Sequence, residues 1–577
     1  MDSLNDHPKI QEHWLWKKNV PFIYDYLFIT PLRWPTLTFS IPPVRFNSEN
    51  MEIEKKNSDT EHESEISLYG QLLIYGTYST SVSSSTEGRM ADLSSQEKYI
   101  TISMLDIPNF DNDLLICDGL SDDSSKKKLE KPKYLPPDIN SIFKIVVNDD
   151  PIKICSRIDE SKNRILVASK MLRGEIWFHN IGINEIYDET FKVRARASNN
   201  KEEEYEIVTL YSSDHGNSTI LNHEYNSGKS GYGMEWGTTN SNWLLSGNED
   251  SSMYIFDVNT CEAIFKDQSY NISCGINDLC WINPTLTPNI FSTVNHQGFL
   301  SIYDYRCNLK NSNSNENNPV NKWSISDSPC VSISAHPTVS NLISVGGYDG
   351  NIYIIDLRCF SNNKQINSLS SHNKGIINKF KYNFEPVHRL EWHSGGNGLL
   401  LSSSLDGKAC IWDITRCSNM PIWDQIESNN NRVSRNNIIS NSSPNNSKKS
   451  LESSNKSADN SMDQEVDIKR SLKLLINNNS SNWTKNEKSD GPNELIGVHS
   501  GHTGQITDSH WLFSPNDDSW TVVSTDTLNG LHVWSFNEAV FTSENDLIEL
   551  SYAKQTNLDQ FSIYSTKDYI QNLVDSL

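Results

Sequence analysis

Gly350-Asn-Ile-Tyr-Ile-Ile-Asp356 is one copy of a phrase that the chain repeats: a tight-turn residue, an alternating apolar strand, and aspartate six positions on. The other copies are Ser251-Ser-Met-Tyr-Ile-Phe-Asp257, Gly298-Phe-Leu-Ser-Ile-Tyr-Asp304 and Gly407-Lys-Ala-Cys-Ile-Trp-Asp413, with looser versions ending at Trp177-Phe178-His179 and Trp534-Ser535. The four aspartates are spaced by 47, 52 and 57 residues. Alternation with period two buries one face of each strand, and the turn residues are those that close hairpins. A repeat of this length with variable loops predicts a propeller, in which small sheets stack because none can bury its own face.

Seven such blades are placed at roughly 68–107, 141–180, 229–258, 272–306, 328–358, 384–414 and 499–536. Strands are expected at Leu72–Thr77 and Tyr99–Leu105 in the first, and at Phe143–Val147, Ile165–Ser169 and Glu175–Phe178 in the second. The expected fold is all-β, a seven-bladed propeller over residues 37–541, preceded by a helical segment (1–36) and followed by a tail (542–577) ending in a short helix. Residues 7–32 read as the helical lead-in, which Pro21 should interrupt or kink. Leu37-Thr-Phe-Ser-Ile41 is a candidate strand stopped by Pro42-Pro43. Polar inserts are read at 47–65, 80–97, 110–135, 182–226, 307–322 and 428–490. In the last, 30 of 63 residues are Asn or Ser, too polar to offset the entropy of ordering. Only Val466–Ile476 within it carries apolar periodicity.

Of the 577 residues, 36% are apolar and 21% charged, and the net charge is −23. That balance argues against a general nucleic-acid surface and suits basic partners. No run approaches the roughly 18 apolar residues that span a bilayer, and Met1-Asp-Ser-Leu-Asn-Asp lacks a secretory signature. The ten cysteines form no Cys-x-x-Cys pair and are read as structural thiols of a reducing compartment, with no metal and no cofactor.

His502, Ser524, Asp526 and Trp534 have the composition of a nucleophilic site. Inside a blade the same set serves as a buried hydrogen-bond network, whereas a nucleophile must be exposed. No Gly-rich phosphate loop or His-Glu-x-x-His stands out. The chain offers no catalytic constellation, and binding on a rigid frame is what remains.

Trp16-Lys-Lys-Asn-Val-Pro-Phe-Ile-Tyr-Asp25, followed by Leu32-Arg-Trp-Pro-Thr-Leu-Thr38, resembles the opening of the retinoblastoma-associated histone-binding WD-repeat family, which includes the small subunit of chromatin assembly factor 1. The likeness continues through Gly231-Tyr-Gly-Met-Glu-Trp236, Asp304-Tyr-Arg306, Asp356-Leu-Arg358 and Asp490-Gly-Pro-Asn-Glu-Leu-Ile496 ahead of Gly501-His-Thr503. It implies a WD40 propeller and a non-enzymatic nuclear histone-binding adaptor, with a cytoplasmic pool. Its implied partners are histone H4 within H3–H4 and subunits of chromatin assembly, acetyltransferase, deacetylase or methyltransferase complexes, with no direct nucleic acid and no membrane. In that family a side groove takes the first helix of H4. Carried over, Phe22, Ile23, Tyr26 and Leu27 form its apolar wall, Asp490 and Glu494 meet basic side chains, and Leu495, Ile496 and Val498 complete the floor. The competing reading is that Phe22 through Leu27 only pack the helix onto blade seven.

Two departures stand out. Gly497 replaces the family's usual phenylalanine and implies a shallower groove, and the insert 428–490 carries ten basic against seven acidic residues where the family loop is acidic. The family's second site is the acidic mouth of the channel, which holds the H3 tail. Here its matching positions read Pro151, Lys153, Ser230, Asn277, Ser332, Pro386 and His388, with Tyr232 alone keeping its identity. Tyr232 and Asn277 are therefore a weak top-face peptide site, and H3-tail capture is expected to be lost or much weakened.

Two other functions compete. A substrate receptor for a cullin-type ubiquitin ligase is suggested by Arg306 and Arg358 after their aspartates, unless these cap strand ends within the blade. A ribosome-biogenesis WD-repeat chaperone shares the groove, but such relatives carry a long Glu-rich leader, and few residues precede Trp14 here.

Overall fold

The computed structural model describes residues 8–32, 34–47, 68–78, 98–108, 139–197, 208–211, 218–221, 231–237, 242–267, 275–282, 289–308, 319–359, 375–416, 492, 494–513 and 520–536. These form seven sheets, six of four strands and one of six. The innermost strands are Phe39–Ser40, Pro151–Asp159, Met234–Trp236, Ile276–Trp281, Cys330–Ala335, Val387–Trp392 and Ile506–Trp511. Each touches the next, and the last touches the first, so the ring closes around a channel.

The repeated phrase is the third strand of its blade. Its turn residue is left-handed in every copy: Gly298 (φ 76°), Gly350 (φ 78°), Gly407 (φ 85°) and, without glycine's freedom, Ser251 (φ 70°). The phrase-ending aspartates accept the backbone N–H two residues on, Asn259, Arg306, Arg358 and Thr415, at 2.9–3.0 Å. Between blades, indoles do the tying. Trp236 donates to Cys155 O, Trp392 to Ser334 O and Trp511 to Glu391 O, each onto the blade before it, at 3.1–3.2 Å.

The helical reading of residues 7–32 holds only to Ile23. Helix α1 spans Pro8–Ile23, with a proline where a missing N–H costs nothing. Pro21 sits inside its last turn, and the helix ends two residues later. Strand β1, Tyr24–Pro31, then pairs antiparallel with Gly530–Phe536 and becomes the outer strand of blade seven. The ring is thus closed by joining the two ends of the described chain.

Other boundaries are corrected too. Phe143–Val147 lies in Ile139–Val147, which pairs with Lys98–Pro108 and belongs to blade one, while blade two starts at Pro151. The stretch 182–226 contains helix α2 (Ile183–Ala197), the strand Val208–Tyr211 laid parallel on Ile139–Val147, and Ser218–Leu221, the outer strand of blade two. Ile183 and Ile186 bury α2 against Phe143 and Ile145. Leu37–Ile41 contains the expected strand, reduced to Phe39–Ser40. Most of the insert 428–490, with Asp490, and the tail 542–577 lie outside the described residues.

Candidate functional site

Helix α1 turns one face to the body. Trp16, Asn19 and Ile23 are buried with Glu12, His13 and Val20 half-buried, while Trp14, Leu15, Lys17, Lys18 and Pro21 face out. Beneath it runs a chain of hydrogen bonds. Trp16 Nε1 donates to the Tyr24 hydroxyl (2.9 Å), which lies 2.7 Å from His499 Nδ1, and His499 Nε2 lies 3.0 Å from His532 Nδ1. The indole only donates, so the Tyr24 proton is free for His499 Nδ1, which keeps the His499 proton on Nε2, facing His532. Burial holds both imidazoles well below their usual range, with the neighbouring histidines adding to the effect. The His499 ring stacks on Trp534 at 4.5 Å.

Trp534 in turn donates to Ser524 Oγ (3.1 Å), which lies 2.7 Å from His502 Nε2, whose Nδ1 is 3.0 Å from Asp526. All four side chains are buried. Ser524 is thus locked between an indole and an imidazole, as expected for a structural network. His499, His502 and His532 also bring nitrogen atoms within 4.8 Å of one another. Both nitrogens of His499 and His502 are committed to the bonds just described, so this set does not fit a metal.

The nine groove residues named from sequence are divided by the fold. Ile23 (6% exposed) and Ile496 (8%) share one cluster with Trp16, Tyr24, Trp534 and Phe536, and Leu27 packs against it half-buried. Tyr26 points the other way, into a cluster with Leu73, Tyr75, Leu105 and Ile107 of blade one. Leu495 and Val498 are half-buried against blades five and six. Glu494 accepts a 2.8 Å bond from Asn378 Nδ2 through Oε1. Phe22 ends α1, but its side chain lies outside the described residues, as does Asp490.

The segment Leu495–His499 is not a loop but the outer strand of blade six, bulged at Ile496. The expectation that Gly497 leaves a hollow is corrected as well. A Cβ on Gly497 would come within 2.7 Å of the Phe536 ring, which is 2% exposed. An aromatic from blade seven fills the space from the opposite side. Only its later position in the chain, two residues after Trp534, could have hinted at this.

At the channel mouth Tyr232 is 47% exposed, and its ring meets that of His388, from the far side of the ring of blades, edge-on at 6.0 Å. Asn277 donates to Cys330 O (2.6 Å) and Ser332 to Val387 O (2.8 Å), so these rim groups tie blades together. Arg306 pairs with Asp304 (2.7 Å) and Arg358 with Asp356 (2.8 Å), closing local rings at strand ends. Six described cysteines, among them the buried Cys280, Cys330 and Cys410, are unpaired. No described helix is long and apolar enough to cross a membrane.

Comparison with known proteins agrees with this architecture. Residues 11–109, the stretch containing α1, β1 and the start of blade one, match the family model of the histone-binding protein RBBP4, a component of the CAF1 complex. The chain is 25% identical to histone acetyltransferase type B subunit 2 of Candida glabrata over 426 residues, covering 72% of this chain and 78% of that one. It is 20% identical to the protein of the same name from Debaryomyces hansenii, covering 97% of each. A probable histone-binding protein, rba-1, of Caenorhabditis elegans is 42% identical over 53 residues, 9% of this chain and 12% of that one. With its closed seven-bladed ring and its leader of α1 and β1, the chain belongs to the retinoblastoma-associated histone-binding WD-repeat family.

Proposed function

We propose that this protein is a non-enzymatic histone-binding adaptor that seats the first helix of histone H4 on the flank beside α1. One observation carries the reading. The end of α1, strand β1 and the outer strand of blade six meet in a single buried cluster of Ile23, Ile496 and Phe536, and the Trp16–Tyr24–His499 bonds lock them together. The seat is rigid, and its margins, Leu27, Leu495 and Val498, keep part of their apolar surface beside the half-buried carboxylate of Glu494. An amphipathic helix laid there covers those margins and turns basic side chains toward Glu494, with Phe22 and Asp490 assigned to the same site. Tyr26 supports blade one and is left out of it. Residues 1–36 act as the groove module on the propeller frame.

Relatives named as subunits of a type B histone acetyltransferase favour an acetyltransferase assembly as the setting, with H3–H4 as cargo and the nucleus as the main compartment. The locked Ser524 supports a protein without chemistry of its own.

The test is titration of an H4 first-helix peptide into the full chain. Glu494→Gln keeps an acceptor for Asn378 and removes the charge, and should weaken binding about fivefold, with a reduced salt dependence. Leu27→Ser should weaken it about tenfold, near 1.4 kcal/mol. Wild-type affinity in both folded variants would remove the flank from consideration.

A further inference from the structure

The innermost strands carry a shared irregularity. In five of them the register shifts after the first residue: Pro151/Lys153, Ile276/Asp278, Cys330/Ser332, Val387/Arg389 and Ile506/Asp508. Each such bulge rotates the following residue in the same way, so Lys153, Asp278, Ser332, Arg389 and Asp508 form one layer around the channel. Glu391 and His510 lie two residues further along their strands, on the same face.

These groups already answer one another. Arg389 Nε lies 3.6 Å from Asp508 Oδ1, and its NH2 lies 3.7 Å from Glu391 Oε2. His510 Nδ1 lies 2.7 Å from Glu391 Oε2 and its Nε2 lies 3.4 Å from Asp508 Oδ1. Asp278 spends both oxygens on backbone amides, Leu279 (2.9 Å) and Ile333 of the next blade (3.0 Å). Asp508 does the same with Ser509 (3.0 Å) and Phe39 (3.3 Å). Lys153, on blade two, acts electrostatically on Glu235 of blade three, Asp278 of blade four, His388 of blade six and Asp508 of blade seven. Only a charge near the axis reaches groups on so many blades.

We infer that Lys153 and Arg389 are resident cations that determine specificity at the axial channel: they occupy the place of a guest arginine or lysine and make the channel refuse cationic peptides. A guest cation would find carboxylates already neutralised or spent on amides, and would meet two like charges at short range in a medium that screens poorly. The inference does not depend on the flank being a histone seat.

Lys153 is the residue to change. Among the described residues no carboxylate stands within ion-pair distance of it, so its removal breaks no pair, unlike that of Arg389. The probe is a fluorescein-labelled peptide of glycine, arginine and lysine, titrated into the full-length protein by anisotropy at low salt. Wild type should show no saturable binding. Lys153→Met should gain it, and Lys153→Glu should bind at least about tenfold more tightly than Lys153→Met, with affinity falling as salt rises. Arg173→Glu makes the same charge change at an exposed turn on the same end of the propeller, and should gain nothing. Tight binding by wild type overturns the inference. So does absence of gain in both Lys153 variants with unchanged unfolding profiles, or an equal gain in Arg173→Glu.

Discussion

The flank of blade seven and the axial channel bury polar side chains by opposite means. At the flank every group is neutral, and stability rests on one directional arrangement of protons from Trp16 through Tyr24 and His499 to His532. In the channel the groups are charged. Burial would raise Asp508, yet His510, Lys153 and Arg389 hold it far below the usual carboxylate range. Arg389 is likewise held above its usual range by Asp508 and Glu391 against the cost of burial. A relay of dipoles fails when one atom is removed, whereas a charge cluster fails when the count is upset. A neutral, fully bonded seat can receive an apolar guest without rearranging, and a balanced charge cluster has nothing left to offer a cation.

The sharpest way to break the contrast is Arg389→Met. It leaves Asp508 and Glu391 facing His510 and Lys153 alone, and losing one partner of a buried pair costs several kcal/mol. The Arg389 side chain keeps 22% of its exposure, which reduces the expected loss to about 3 kcal/mol in urea unfolding. A loss below about 1 kcal/mol would mean that water already compensates these charges.

Tyr24→Phe is the matching break at the flank. The ring still packs against Phe536 at 5.2 Å, but Trp16 Nε1 and His499 Nδ1 lose their shared partner. Two buried groups left unmet cost about 2 kcal/mol. Amide exchange should rise in α1 and not in blades three to five, because only the end of the relay that holds the helix is cut. Uniform acceleration would show that the relay stabilises the whole ring and does not position α1.

How much of this is legible in the sequence follows from what each feature costs to specify. The third strands announce themselves because a left-handed turn and strict alternation are local, as in Gly350–Asp356. The His502–Ser524–Asp526–Trp534 network is legible because its members lie within one blade. The outer strands are not: Glu262–Asp267 and Ile376–Lys381 are half-exposed and mix charge with apolar residues. Strand β1 reads as helix because Tyr24-Asp-Tyr-Leu-Phe carries no breaker, and its partner lies some five hundred residues away. The same long range hides Phe536 over Gly497. The family likeness points to the right elements at the flank, but only tertiary packing separates Tyr26 from Ile23.

Acid and base should tell the two regions apart by sign. His499 and His532 are depressed by burial, so just below pH 6.5 the unfolded chain binds more protons, and their contribution to stability is lost as pH falls. His510 is raised, because Glu391 and Asp508 outweigh burial. Its contribution is complete below about pH 6.5 and is lost as pH rises through the folded value. His510→Gln should therefore be destabilised by about 1 kcal/mol near pH 5.5, with the deficit shrinking toward pH 8. A deficit that grows with pH would mean that His510 is neutral in the folded protein and only hydrogen-bonds.

The smallest effect belongs to the channel group that behaves like the flank. Glu235 is pushed up to about 7 by burial, with Asp278 adding to it, so near neutrality it is about half protonated. Its Oε2 accepts the Trp281 N–H at 2.7 Å, a bond that a carboxamide oxygen can replace. Between about pH 4.5 and 7 the folded protein holds this proton more tightly than the unfolded chain, so wild-type stability falls as pH rises through that window. Glutamine does not titrate. Glu235→Gln should match wild type near pH 4.5 and exceed it by about 0.5–1 kcal/mol at pH 8, discounted for the partial exposure of the site. Because the lysine at 153 also acts on this carboxylate, Lys153→Met should enlarge the gain: without the ammonium nearby, the ionised form of Glu235 is costlier still. A gain of unchanged size in the double variant would separate Glu235 from the axial charge cluster and leave Asp278, Glu391 and Asp508 as its only carboxylates.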